Sequence, residues 1–278
     1  MVSRNVERTS FGCRSSDKQP DRRIWNTAAS PFGAVGAARY DSDAIRMPRK
    51  YARAHAIQNE MICSILGELD RKRPVVVDLG CGTATDGVRI LTRMRHAVYL
   101  GLDSSPHMLE QAKKKLGGEN LTDRCLIIEN NILSVDANSL IDALRTVFPS
   151  SCVSAVVSSL ALHHYDIDEK SRAYTLAHNL LADGGVFIVT DLFTNYMPAC
   201  AMHALSEEVR GVRRALRRGS TESQRACTTL NEYHYTDENK PLPLGVETQL
   251  LMQSGFEHVD IIYRSGQLAV VVAKRGGS

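Results

Sequence analysis

Long hydrophobic runs are missing from this chain: no stretch approaches the ~20 apolar residues that cross a bilayer, and the N-terminus has no signal-peptide core. The expected place of work is therefore the cytoplasm. The seven cysteines (Cys13, Cys63, Cys81, Cys125, Cys152, Cys200 and Cys227) are odd in number, scattered and without a C-x-x-C pair. That pattern excludes a disulfide scaffold and a thiolate metal site, and reads as thiols in a reducing compartment. The histidines lack ligand spacing and no acidic triplet stands near the fourth strand described below, so no metal is expected. The charge excess is only +3, too mild to draw in nucleic acid. Internal repeats and low-complexity tracts are also absent. A chain of 278 residues with ordinary apolar content, 43%, suffices for one α/β domain and a modest extra element.

What is present is concentrated in residues 75–87, Val-Val-Val-Asp-Leu-Gly-Cys-Gly-Thr-Ala-Thr-Asp-Gly. Three β-branched residues make a buried strand that breaks into a Gly-rich turn. Gly80 and Gly82 lack a Cβ, so the backbone can turn sharply and admit a ligand to contact distance. A helix follows, with Thr85 or Asp86 as the expected N-cap and Val88, Ile90 and Leu91 as its apolar positions. A dinucleotide site would want G-x-G-x-x-G around a pyrophosphate. Here Thr85 stands at the third glycine position, and Asp78 stands where a phosphate would be repelled. A carboxylate beside the glycines suits a ligand with a cationic amino group. A second apolar strand, Tyr99-Leu-Gly-Leu-Asp103, ends in an acid and leads into a helix start at Ser104 to Pro106. An acid there can accept hydrogen bonds from both hydroxyls of a ribose.

With Asp78–Ala84 and Leu102–Asp103 together, the chain resembles the class I S-adenosylmethionine-dependent methyltransferases from about Tyr40 to its C-terminus. The resemblance implies S-adenosylmethionine as cofactor. It assigns Asp78, Gly80, Cys81 and Gly82 to the methionine half, Asp103 to the ribose, and Ser104 and Met108 to the adenine flanks. At the third strand end, Asn130-Asn131-Ile132 replaces the family's more usual Gly-Asp-Ala, and the Asn131 side-chain carbonyl can accept from the adenine amino group. Ser158, at the end of the fourth strand, completes the cofactor set. Tyr40, in Ala-Arg-Tyr-Asp, matches a tyrosine that many relatives fold over the cofactor; Tyr51 and Arg53 are weaker candidates for that lid.

The expected fold is α/β: a Rossmann-like, seven-stranded, mostly parallel sheet with helices on both faces and an antiparallel last strand. Strands are expected at Val75–Leu79, Val98–Asp103, Cys125–Glu129, Cys152–Ser158 and Val186–Asp191, with helices at about 85–95, 105–116, 136–147 and 167–181. Phe256–Tyr263 and Leu268–Lys274 read as a closing hairpin. Residues 1–24 mix Arg, Lys and Ser with Glu7, Asp17 and Asp21, unlike an acid-poor transit peptide, and 1–40 is expected to be a flexible tail. The domain then runs over 41–278, with a helical cap at 41–70. In that cap Asp43–Leu69 reads as helical, with apolar Ile57, Met61, Ile65 and Leu69 at i, i+4 spacing.

A helical lid insertion is expected at 195–243. Arg210, Arg213, Arg214, Arg217 and Arg218 fall on one face, with Leu205, Val209, Val212 and Leu216 opposite. The stripe is either a solvated face or an attraction for an anionic substrate. Tyr196 and Tyr233-His234-Tyr235 are the expected substrate contacts, the latter three being otherwise an aromatic knot. The fourth strand runs into Ser-Ser-Leu-Ala-Leu-His163-His164-Tyr165, a form similar to the ubiquinone-type, small-molecule branch of the family. Imidazole suits removal of a proton near neutrality, so His164 and then His163 are the candidate bases, unless they only cap or pack. Methyl transfer is an in-line displacement at an activated sulfonium, so positioning and desolvation supply most of the catalysis.

The leading expectation is methyl transfer to a small-molecule acceptor; the sequence does not fix the oligomeric state, a homodimer being one option. Methylation of RNA, tRNA included, or of protein is the alternative, along with chemistry on a carboxylated cofactor. The segment Asn239–Phe256 is similar to carboxy-S-adenosylmethionine synthases. Those relatives use an arginine on this helix to hold the extra carboxylate, and here Leu250 stands in its place.

Overall fold

The structure, a computed structural model, describes residues 32–44, 49–69, 73–149, 151–197, 199–200, 203 and 239–277. The arginine stripe 210–218, its apolar arc and Tyr233, His234 and Tyr235 lie outside the described residues.

Seven strands form one sheet: β1 (Pro74–Leu79), β2 (Val98–Asp103), β3 (Cys125–Glu129), β4 (Cys152–Ser159), β5 (Val186–Leu192), β6 (His258–Ser265) and β7 (Leu268–Lys274). Their order is β3-β2-β1-β4-β5-β7-β6. All pairs through β5 are parallel, and β7 runs antiparallel between β5 and β6. All six β1 residues are buried, which is why the central strands read as unbroken apolar runs. The chain winds outward from β1 to β3 and then returns to place β4 on the other side of β1. That reversal opens a crevice beyond the carboxyl ends of β1 and β4, where open α/β sheets bind ligands.

Helices cover both faces. One face carries α2 (Arg49–Glu68), α3 (Thr85–Arg93) and α4 (Pro106–Gly118); the other carries α5 (Ala137–Val147), α6 (Ile167–Leu180) and α7 (Leu244–Gln253). Along β1 the side chains alternate: Val75, Val77 and Leu79 enter the α5–α6–α7 core, and Val76 enters the α2 core. The strand and helix positions read from sequence agree within about two residues. Among the described residues no helix is long and apolar enough to cross a membrane.

Three expectations are corrected. Helix α1 (Ala34–Ala44) begins inside the segment read as tail, and the stretch from Asp43 to Leu69 is divided between α1 and α2. The most deeply buried row of α2 is Tyr51, Ala54, Gln58, Ile62 and Leu66, and of the apolar positions read from sequence Met61, Ile65 and Leu69 pack half-buried against the same core. Polar Gln58 and Asn59 occupy the buried arc, which hides it from a hydrophobicity reading. Tyr51 is accordingly a core residue packed with Ala54 and Ile62 rather than a lid. Third, neither Thr85 nor Asp86 caps α3: the N-cap is Ala84, in a left-handed conformation (φ 56°) with no side-chain hydrogen bond. Both expected caps have been recruited by other elements.

Candidate active site at the Gly-rich turn

Beyond Leu79 the backbone keeps to the sheet for one more step: the Gly80 and Cys81 N–H groups donate to Leu102 O at 2.8 and 3.0 Å. Gly80 then turns with φ of 78°, and a Cβ there would stand 2.5 Å from the Ala161 Cβ. Only glycine allows the β1 turn and the loop after β4 to approach this closely. The Asp103 carboxylate binds two loops together, accepting from Gly82 N–H and from Ser105 N–H, each at 2.8 Å. Burial raises its pKa, and the Ser105 and Gly82 N–H bonds pull it back. Each oxygen keeps a second lone pair for a ribose hydroxyl.

Asp78 sits beneath the turn at 3% exposure. The Tyr99 hydroxyl donates to its Oδ2 at 2.7 Å. The Tyr99 ring reaches it by lying against Gly87, where a Cβ would meet ring carbons at 2.5 Å. Oδ1 is buried without a hydrogen-bond partner. Burial, and then the charge of Asp86, push the Asp78 pKa up to about 8. A buried, half-satisfied carboxyl beside glycine backbone fits a cationic ammonium, as the methionine end of S-adenosylmethionine requires.

Asp86 turns inward from the first turn of α3. It accepts from Gln58 Nε2 (3.0 Å), Asn59 Nδ2 (2.9 Å) and Ser159 Oγ (2.8 Å), and pairs with His55 Nδ1 at 3.1 Å. These partners outweigh burial and hold its carboxyl well below the usual range; in turn Asp86 raises His55 against the opposing effect of burial. The hub fastens α2 to the Gly turn and to the end of β4.

The opposite wall is the loop Leu162–His164. Asp191, the penultimate residue of β5, accepts from Leu162 N–H (2.9 Å) and His163 N–H (3.0 Å), and its Oδ1 lies 2.5 Å from His163 Nδ1. His164 packs on His163 with ring centroids 4.0 Å apart, and the Phe32 ring stands edge-on to it at 5.8 Å. Burial first, and then the neighbouring His163, drive the His164 pKa down to about 3. From the other side the chain returning from the 195–243 segment crosses this loop, with Lys240 N–H donating to His163 O at 2.6 Å.

The remaining expected residues separate into two groups. Cys81, Met108 and Ile132 are buried around the turn: Met108 Cε lies 3.9 Å from where a Gly82 Cβ would be, and Ile132 Cδ1 3.9 Å from that of Gly80. Asn130 N–H donates to Asp103 O at 3.0 Å, and the Asn131 side chain caps its own turn through Leu133 N–H at 2.8 Å. Ser104 is exposed at the β2 end and Tyr40 half-buried on α1. Ser158 is fully buried, its hydroxyl on Leu79 O at 2.8 Å; its neighbour Ser159 is the one that reaches the Asp86 hub. Tyr196 is 64% exposed, its ring against Gly245 at the start of α7, and Arg53 is exposed. Sequence reading missed Asp191, Asp86, Gln58 and Phe32. Asp191 had a visible signal: like Asp78 and Asp103, it is an acid at the carboxyl end of an apolar strand.

Residues 76–185 match the family described as "Methyltransferase domain". They form a class I S-adenosylmethionine-dependent methyltransferase domain. An uncharacterised chloroplastic methyltransferase of Arabidopsis thaliana is 30% identical over 125 residues, 45% of this chain and 32% of that protein. The chain thus spans about a third of that relative's length. A carboxy-S-adenosyl-L-methionine synthase of Desulforapulum autotrophicum is 23% identical over 207 residues, covering 73% of this chain and 75% of its own. The fold is that of an O-methyltransferase family protein from Burkholderia thailandensis, with a TM-score of 0.61 and 19% identity over 92% of this chain and 66% of that one. The match takes in the Gly-rich turn and the His163–His164 loop, and residues outside it, Phe32, Asp191 and Lys240, border that loop.

Proposed function

We propose that the protein transfers a methyl group from S-adenosylmethionine to a small-molecule acceptor held against His163 and His164. When bound, the cofactor supplies a sulfonium methyl open to in-line displacement. Asp78 holds its ammonium, Gly80, Cys81 and Gly82 line its methionine half, and Asp103 takes the ribose hydroxyls. Ser104, Met108, Asn130, Asn131 and Ile132 would hold the adenine, and Tyr40 would cover the cofactor.

The covering of the histidine wall supports a small acceptor most directly. Phe32 closes over His164 while the Lys240 segment is hydrogen-bonded to the same loop, leaving little access for a folded macromolecule. Such covering excludes water, which strengthens every charge interaction inside. For an acceptor that arrives protonated, the base is His163 rather than His164. Asp191 holds the His163 Nδ1 as a donor, which leaves Nε2 as the basic nitrogen. His164, with a pKa near 3, stays neutral and acts as wall.

Similarity to carboxy-S-adenosyl-L-methionine synthases over most of the chain favours a second reading, in which the cofactor carries an extra carboxylate. Against it, α7 has no arginine and its Leu250 is buried.

Titration calorimetry with S-adenosylmethionine and S-adenosylhomocysteine, on wild type and Asp103→Ala, tests the cofactor half. Transfer of tritiated methyl to a panel of phenols, thiols, amines and carboxylates tests the acceptor half. Binding lost in the variant, with label in a low-mass product, is expected. A folded wild type that binds neither compound overturns the proposal; label found only in added RNA or protein moves the acceptor class. Tighter binding of carboxy-S-adenosylmethionine than of either probe establishes the second reading.

A further inference from the structure

Helix α1 packs against α4 and is tied at both ends to the loops that follow β1 and β2. At its start Phe32 O accepts from the Ser105 hydroxyl at 2.7 Å. Ser105 is the N-cap of α4 and its own N–H binds Asp103. At its far end the Asp41 carboxylate lies 2.6 Å from Lys115 Nζ and accepts from the Thr83 and Thr85 hydroxyls at 2.7 and 3.2 Å. Lys115, on the last turn of α4, also donates to both threonine hydroxyls, at 2.9 and 2.7 Å. Four side chains, from α1, the Gly turn, α3 and α4, thus close into one cluster. Between the two anchors the buried residues are Gly33, Gly36 and Ala37, with Tyr40 half-buried. These recur at helical spacing, and their small size lets the helix lie close to the loops beneath.

The local structure gives something up for this contact. Thr85 stands at the first turn of α3, where its hydroxyl would satisfy a backbone N–H, yet that end of α3 has no side-chain cap and begins from a left-handed alanine. Both threonines face α1 instead. Thr83 and Thr85 flank the end of the turn that carries Gly82, and Ser105 follows the acid at the end of β2. Release of α1 would therefore free both loops assigned above to the cofactor, and Tyr40 with them.

We propose that Asp41 and Lys115 are positioning residues: a latch that holds α1, and with it Tyr40, closed over the bound cofactor and slows its escape. This rests on the reading of the Gly turn as the S-adenosylmethionine site. The latch is built to open. Asp41 is 43% exposed and Lys115 23%, so water and salt compete for the pair.

The test is S-adenosylhomocysteine binding by calorimetry and stopped-flow displacement, with hydrogen exchange of residues 32–44 as a readout independent of activity. Asp41→Asn and Lys115→Met are each expected to speed dissociation about fivefold, the size of one well-placed partly exposed pair. Their effects should not add in the double variant, and Asp41→Glu should recover part of the loss. Protection of 32–44 on adding S-adenosylhomocysteine should fall in both single variants, and wild-type dissociation should quicken with salt. Unchanged dissociation and protection in folded Asp41→Asn and Lys115→Met, while Asp103→Ala still abolishes binding, overturns the latch and leaves the cofactor site standing. Lowered melting temperature with unchanged dissociation also overturns it, as a purely structural contact. Absence of binding in wild type overturns the underlying site itself.

Discussion

His163 Nδ1 lies 2.5 Å from Asp191 Oδ1, and the other oxygen of that carboxylate accepts the backbone N–H groups of Leu162 and His163. One acid at the end of β5 therefore shapes the loop after β4 and also fixes the orientation of its imidazole. The pairing of His163 with Asp191 holds the Asp191 carboxyl below the usual range although burial opposes it.

Asp191→Asn keeps the size and an oxygen for the backbone N–H groups but removes the anion that selects the His163 tautomer. For an acceptor that must lose a proton, kcat is expected to fall about a hundredfold. Affinity for S-adenosylhomocysteine should be unchanged. Steady-state kinetics across pH beside calorimetry separates the two; equal losses in both would mean that Asp191 only holds the loop.

Asp78 carries a pH signature in stability and in binding. Its folded pKa of about 8 stands above the ordinary 3.8, so the folded state holds that proton more tightly than the unfolded chain. The resulting stability is complete below pH 3.8 and is lost as pH rises through 8. Asp78→Asn should therefore gain in melting temperature over wild type as pH is raised from 5 to 9, measured by calorimetric scans. Wild-type affinity for S-adenosylmethionine should rise through the same window as the carboxylate forms, and the variant should show no such rise.

Gly80→Ala places a methyl 2.5 Å from Ala161 Cβ at a backbone φ of +78°. The left-handed conformation alone costs roughly 1–2 kcal/mol for a residue with a Cβ. The variant is expected to fold with a lower melting temperature and to lose S-adenosylhomocysteine binding, because the turn and the loop after β4 must separate.

Lys170, Tyr174 and Glu247 form a fully buried cluster between α6 and α7, with the ammonium and the phenol both on the Glu247 carboxylate. Lys170→Met leaves that carboxylate without its cation and should cost about 3–5 kcal/mol in denaturant unfolding. Lys170→Met/Glu247→Leu/Tyr174→Phe, which removes every polar partner at once, should recover most of the loss. A triple variant as unstable as the single would mean that packing at α7, not charge, sets the cost.

The strands were legible because a parallel sheet covered on both faces demands unbroken apolar runs, and those runs end at glycines and acids that stand out locally. The same locality exposed Asp78, the glycines and Asp103, all within a strand end and its turn. Asp191 obeyed the same rule and was passed over. What could not be read were contacts between distant segments. Gln58 meets Ser159 across 101 residues and Asp86 across 28, so a buried polar pair on α2 had no local signal. Thr85 and Asp86 looked like helix caps because capping is the nearest use for such side chains, and partners 44 and 28 residues away claimed them instead. The pairing of His163, rather than His164, with Asp191 likewise had no local basis. Periodicity and turn chemistry depend on neighbours in the chain, so the sequence by itself determined the layers and the Gly-rich turn. Burial, charge pairing and the packing of α1 depend on neighbours in space, and only the tertiary structure decided them.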